Sequence, residues 1–329
     1  MTNRFMTLIQ KINPINKESE KKKFFFDPLY NPQFQYATSV LHEELHYYTP
    51  ISSDYLPIAH KILDFITKTY GSHDAYIEKT HEPILTREEV EKIVRDYLSK
   101  EHIEKMITMK FSTDAVARTS MVGNTLTIRL PVSYNESGLM GMLNHDVGTH
   151  FFRTLNERKQ PWYGQREKFH IHPYLLTEEG LAVLHAFLPK SHTLFRRQAI
   201  YYIAVHYANE HSFVETNEML KKYVSDKEDR WKFCLRAKRG IKDTSQPGAF
   251  SKDQTYFAGA VKVWRWLKKH DFDTKELFVG KISIDDVDTL KSMWNTQGLV
   301  FPTFLTENTH HYKEKLLKIG KENFFEKSV

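Results

Sequence analysis

Two histidines and a carboxylate stand inside one apolar stretch, Met142-Leu143-Asn144-His145-Asp146-Val147-Gly148-Thr149-His150-Phe151-Phe152-Arg153. Leu139, Met140, Leu143, Val147 and Phe151 recur at three- and four-residue steps, which predicts a helix with one buried face. Ser133 and Glu136 have capping-box spacing ahead of it, and Pro161 bounds it downstream. A histidine on a buried face needs partners for its ring nitrogens, and zinc is one such partner. The spacing is unusual. His145 and His150 are five apart, about 140° around a regular helix, whereas the commoner four-residue spacing leaves about 40°. Both reach one metal only if the helix is widened by an extra residue, as in a π-bulge, and Gly148 between them eases that distortion. The competing reading is two unrelated histidines, since the chain has 17.

A carboxylate ligand is available nearby in sequence. Leu176-Thr177-Glu178-Glu179-Gly180-Leu181-Ala182-Val183-Leu184 reads as the start of a second helix, with Thr177 as its N-cap and Leu181, Leu184 and Leu188 as its buried stripe. Two neutral imidazoles and one carboxylate leave an open tetrahedral position for water, the arrangement catalytic zinc uses. Otherwise Glu178 and Glu179 serve only to offset the helix dipole in a first turn. Two rival sites exist. His42-Glu43-Glu44-Leu45-His46 is a literal HExxH, but Tyr47-Tyr48-Thr49-Pro50 ends any helix within a turn, so exposed or packed histidines on a short helix are expected there. His170 and His172 alternate and would point to one face of a strand or loop.

At 329 residues, 40% hydrophobic and 13% aromatic, the chain is globular and can bury a large core as one domain or two closely packed ones. It has no apolar run of membrane-spanning length, and Met1–Gln10 has too short an apolar segment for a signal peptide. Cys234 is the single cysteine, so no internal disulfide forms, a cytosolic setting fits, and a zinc site must use His and carboxylates. A net charge of +6 allows an acidic partner. Acidic residues interrupt the Lys17–Lys23 run, so residues 1–27 are expected to be a solvated charged extension and not a nucleic-acid surface. Beyond it, 28–329 is expected to hold the functional domain, with a sub-boundary near 71–85. Helices are predicted through about Tyr70, after a Thr86–Glu89 capping box, and near 193–210, 213–224, 229–239, 254–270, 283–294 and 310–323. Val116–Val122 and Leu126–Leu130 alternate around Gly123-Asn124, a hairpin signal just ahead of the histidine helix.

Several blocks together resemble a known family. His145-Asp-Val-Gly-Thr-His150-Phe-Phe-Arg153, Gln160-Pro-Trp162 and Thr177-Glu-Glu-Gly-Leu-Ala182 are similar to the zinc peptidases of the microtubule-associated tyrosine carboxypeptidase family, whose bacterial relatives are the QEGLA-motif proteins. Asn31-Pro-Gln-Phe34 and the block from Lys238 to Gly259 look like the family's as well, and the resemblance spans roughly 28 to 325. It implies an α+β, mainly helical peptidase of gluzincin type, with a small sheet beside the metal helix. In the family's HExxxH and QEGLA motifs the two His and the Glu hold zinc, which maps onto His145, His150 and Glu179. Glu178 stands where the family often has Gln. The family's catalytic Glu, directly after the first His, is Asp146 here. Asp146 is expected to act as general base and proton shuttle, but its carboxylate reaches roughly 1–1.5 Å less far, and misplacement on that scale can cost about a hundredfold.

Arg236, Lys238, Arg239 and Lys242 crowd one short span of the last block. A carboxypeptidase must bind a free C-terminal carboxylate, which suits the arginine fork; Arg239 is the first candidate, with Lys238 and Lys252 beside it. The competing reading is a solvated helix end, with Gly240 just past it. Tyr256 or Lys252 is expected to donate to the developing oxyanion, unless Tyr256 is simply a core aromatic beside Phe257. The resemblance thus implies cytosolic removal of a C-terminal tyrosine or other aromatic residue from a protein tail, tubulin-type acidic tails included. The alternatives are a pseudoenzyme that binds such a tail without cutting it, and a helical scaffold with coincidental histidines.

Overall fold

Three- and four-residue apolar periodicity makes most of this chain helical, and the computed structural model, described over residues 8–45, 50–115 and 118–326, bears this out. Two compact units emerge: one gathers residues up to 79 with Phe195–Ala258, the other Thr80–Leu194 with Gly259–Glu326. No helix among the described residues is long and apolar enough to cross a membrane.

In the first unit the helices Leu56–Tyr70, Arg196–Glu210, Phe213–Leu220 and Lys227–Lys238 pack together. The expected solvated extension is corrected in part: Lys17–Phe26 is a helix. Its Phe24 is buried with ring centroids 5.1 Å from Phe213 and 5.6 Å from Trp231. Buried Glu20 accepts from Tyr30 Oη at 2.7 Å and Gln33 N at 2.8 Å. Glu20 of that run is therefore structural, which the Lys-rich composition hid. Asn31–Phe34 straps the 240s: Phe34 N donates to Lys242 O at 2.7 Å, and Pro32 O accepts from the Thr244 hydroxyl at 2.8 Å.

The second unit carries a three-stranded sheet in the order β1 (Thr108–Ser112), β3 (Thr125–Arg129), β2 (Thr119–Val122). β2 and β3 form the expected hairpin, with Val122 opposite Thr125 around Gly123-Asn124. Gly123 takes φ 57°, a conformation glycine adopts without penalty. β1 runs parallel to β3, and β2 lies against the histidine segment. The architecture is α+β and mainly helical, with the small sheet where it was expected.

Two caps differ from expectation. Asn135, not Ser133, caps the helix Glu136–Leu143, accepting from Gly138 N at 2.9 Å. Thr177 is not an N-cap; the helix Leu175–Ala186 begins before it, and its hydroxyl accepts from Ile284 N at 3.0 Å, a partner far along the chain. The predicted 283–294 helix shrinks to Val287–Leu290, and the Asp286 carboxylate just ahead of it accepts from His172 N at 3.1 Å and Nδ1 at 2.5 Å. The Thr86–Glu89 capping box forms ahead of Arg87–Lys100.

Candidate metal centre

Leu139, Leu143 and Val147, the apolar stripe of the histidine segment, are fully buried, and so are Leu181 and Leu184 of the facing helix. This packing presents His145 and His150 to Glu179. The helix Glu136–Leu143 does not continue regularly: Asn144–Phe151 is a π-helix, after which Phe152–Glu157 resumes α geometry. Hydrogen bonds from i to i+5 stack residues five apart, so the two histidines share a face despite their spacing. Gly148 earns its place by packing and not by backbone freedom. A Cβ there would come 2.6 Å from the Phe304 ring and 2.7 Å from Tyr97 Oη.

The donors converge. His145 Nε2 and His150 Nε2 lie 3.6 and 3.7 Å from Glu179 Oε2, and the three ligand atoms lie within 4.8 Å of one another. Ligands at ordinary zinc distances on a tetrahedron stand about 3.3 Å apart, so a small inward shift closes the site. The two rings are 4.7 Å apart and nearly perpendicular at 85°, aiming their nitrogens at a common point instead of stacking. Among the described residues this is the group of His and carboxylates that could hold a metal ion. Burial opposes charging His145, yet the hydrogen bond to Glu179 and the charges of Asp146 and Glu179 outweigh it and raise its pKa. The site attracts positive charge. Asp146 places a carboxylate oxygen 3.9 Å from His145 Nε2.

Behind the ligands sits an ionic support. Glu178 Oε1 accepts from His150 Nδ1 at 2.7 Å, which leaves His150 Nε2 free to face the ligand cluster. Its other oxygen is held by Arg153, which is fully buried and also donates to the carbonyls of Leu277 at 2.8 Å, Gly280 at 3.1 Å and Ile282 at 2.9 Å. Lys281 approaches Glu178 at 3.1 Å. Burial would raise the Glu178 pKa, but Arg153, Lys281 and His150 hold it well below the carboxylate range. Sequence reasoning had no role for Arg153 or Lys281, and gave Glu178 only a dipole role. The one signal was Arg153 itself, an arginine inside an apolar run that needed an anion.

The other expected residues fall as follows. Arg236 is paired bidentately with Asp253 at 2.6 and 2.7 Å. Lys238 is corrected as a substrate contact: it is fully buried, with its ammonium on the carbonyls of Ala208 at 2.7 Å, His211 at 2.5 Å and Gln246 at 2.8 Å. Burial pushes its pKa down to about 8. Arg239 follows the helix Lys227–Lys238 and is half-buried; burial and the neighbouring Arg236 lower its pKa, with partial offset from Asp253. Lys252 and Tyr256 are half-buried, on the turn Ser251–Asp253 and in the helix Gln254–Lys269. Gln160 and Trp162 are structural: the Gln160 side chain accepts from Asn295 N at 2.9 Å, and buried Trp162 donates to Glu157 at 3.0 Å.

Among the described residues, His170 and His172 join no metal-ligand cluster. His42–Leu45 is a single helical turn whose Glu44 pairs with Lys11 at 2.6 Å; His46 lies outside the described residues. His172 pairs with Asp286 at 2.5 Å.

A family model described as "Microtubule-associated tyrosine carboxypeptidase" matches residues 31–325. The chain is 37% identical over 325 residues to mouse "Putative tyrosine carboxypeptidase MATCAP2", a match covering 97% of this chain and 62% of that protein. It is 32% identical over 329 residues to rat "Microtubule-associated tyrosine carboxypeptidase 1", covering 98% and 70%. Against the human protein of that name it is 34% identical over 319 residues, covering 95% and 67%. The chain thus spans about two thirds of the length of these relatives.

Proposed function

Because the chain belongs to the microtubule-associated tyrosine carboxypeptidase family, we propose that it is a zinc-dependent carboxypeptidase of gluzincin type that removes a C-terminal tyrosine or other aromatic residue from a protein tail. The convergence of His145 Nε2, His150 Nε2 and Glu179 Oε2 carries this reading. These three residues would hold the metal, which supplies Lewis acidity toward a substrate carbonyl and a water. Glu178 keeps the His150 ring oriented by accepting from Nδ1. Asp146 takes a proton from the attacking water on a carboxylate oxygen and returns it to the leaving amide nitrogen. Arg239, half-buried beside Arg236, binds the terminal carboxylate through its guanidinium fork. Tyr256 and Lys252 donate to the carbonyl oxygen as charge develops on it. Acidic tails of tubulin type, in a cytoplasmic setting, are the substrates that the relatives' names and the net charge of +6 favour.

Protein purified without added metal is expected to carry roughly one zinc per chain. Glu179→Ala should lose both the zinc and the release of tyrosine from a peptide C-terminus. Zinc retained in Glu179→Ala would overturn the site. Asp146 favours one second reading, a tail-binding protein that keeps the metal and cuts poorly.

A further inference from the structure

The π-helix needs a cause, because an eight-residue run of i to i+5 bonding is rare and the same segment is flanked by ordinary α geometry on both sides. Two threonines mark the difference. Thr154, in the α segment, donates its hydroxyl to His150 O four residues back at 2.7 Å. Thr149 donates to Asn144 O five residues back, also at 2.7 Å. The Thr149 side chain thus closes the widened turn.

A hydroxyl has one proton, so Thr149 Oγ1, having given its proton to Asn144 O, must accept from its other partner, His185 Nδ1 at 2.7 Å. His185 is fully buried, and burial holds its pKa well below the ordinary value, so the ring is neutral. With its proton on Nδ1, Nε2 accepts from Tyr312 Oη at 2.8 Å, and Tyr312 in turn lies 2.8 Å from the Thr274 hydroxyl. From Tyr312 on, every step runs in one direction, Tyr312 to His185 to Thr149 to the Asn144 carbonyl, while the Thr274 hydroxyl lies between Tyr312 Oη and the Phe272 carbonyl at 3.3 Å. The backbone of His185 holds the same turn a second time, its carbonyl accepting from Asn144 Nδ2 at 3.3 Å. Tyr97, over Gly148, donates to Asn144 Oδ1 at 3.2 Å. Asn144, Thr149, His185, Thr274 and Tyr312 are all buried, so none of these bonds is exchanged for water without cost.

We propose that Thr149, His185 and Tyr312 are positioning residues for the metal centre. Their hydrogen-bonded chain fixes the π register that puts His145 and His150 on one face, and ties that register to the helix Leu175–Ala186 that carries Glu179. The proposal rests on the metal reading above. It treats the chain as a device for metal affinity and geometry, distinct from the direct support that Glu178 gives His150.

The test compares Thr149→Val, which keeps shape and removes the hydroxyl, with Thr149→Ser, which restores it. Zinc affinity is read by competition with a chelator, and coordination geometry by the visible d–d absorption of the cobalt-loaded protein. Thr149→Val is expected to bind zinc roughly tenfold or more weakly and to alter the cobalt spectrum. Thr149→Ser should recover both. Tyr312→Phe, which removes one oxygen at a distance from the ligands, should shift both readouts the same way by less, and it serves if Thr149→Val does not fold. Wild-type affinity and spectrum in Thr149→Val, or in Tyr312→Phe if Thr149→Val does not fold, would overturn the proposal, as would a Thr149→Ser as weak as Thr149→Val. A wild-type protein that takes up no zinc overturns the metal reading itself.

Discussion

Asp146 holds its carboxylate 3.9 Å from His145 Nε2, on the same turn of the π-helix as the ligands. In the proposed role, a base at this position would have to reach from the helix to a water at the metal, and aspartate would do so with one carbon fewer than the glutamate that the family resemblance implies there. The backbone here is fixed by Gly148 against Phe304 and by Asn144 against Tyr97, so the helix does not readily move inward to compensate. Asp146→Glu is therefore expected to raise kcat on a peptide ending in tyrosine by up to about a hundredfold, with KM little changed. Steady-state kinetics on both forms decides it. A gain means that the native protein works with a short base; an already active enzyme that Glu does not improve removes the binding-only reading. Glu178 is the opposite kind of residue. Its charge is consumed by buried Arg153, and a Gln at that place could not neutralise that guanidinium.

The helix that carries Glu179 is placed by glycine. A Cβ on Gly180 would come 2.2 Å from the backbone of Gly259, and one on Gly259 would come 2.2 Å from Leu176 O. Two backbones cross there with no room for a side chain. Gly180→Ala must push them apart next to a ligand, so it is expected to cost about 1–3 kcal/mol and to reduce zinc retention. Urea unfolding and metal content after dialysis measure the two effects. Much at this scale was legible beforehand. The five-residue histidine spacing demanded a widened helix, the apolar stripes gave the helix faces, and Gly123-Asn124 gave the hairpin. What escaped notice depends on partners remote in sequence. Thr177 looked like a cap because nothing local shows that Ile284 N needs its hydroxyl. Lys238 looked like a ligand contact because the three carbonyls that take its protons lie 8 to 30 residues away. β1 escaped although Thr108-Met109-Lys110-Phe111-Ser112 alternates polar and apolar residues, because its partner β3 runs parallel to it and no local turn joins the two.

For the whole molecule, the chain passes between its two compact units after Lys79, after Leu194 and after Ala258. The last passage falls inside the continuous helix Gln254–Lys269, and no composition shift marks such a boundary. Global stability carries a pH signature from the first unit. His73 is buried with Arg196 Nε on Nδ1 at 3.1 Å, Thr67 Oγ1 on Nε2 at 3.3 Å and Tyr223 edge-on. Burial and the charge of Arg196, with a further push from Lys222 and only partial offset by Asp74 and Asp64, lower its pKa from 6.5 to about 4. The unfolded chain then binds more protons than the folded one between those values. Stability falls as pH drops from 6.5 toward 4, by up to about 3 kcal/mol. Urea midpoints across that range should show the loss in the wild type and a smaller one in His73→Gln; parallel curves would contradict it. The π-helix has a consequence of another kind. Deleting one residue between the histidines would restore the commoner four-residue spacing, yet turn everything after it by about 100°. Arg153 would leave the carbonyls of Leu277, Gly280 and Ile282, and Asn156 those of Phe278 and Val300. The surplus residue behaves as a ratchet: with a buried neighbourhood built to its rotation, a lineage cannot discard it in one step.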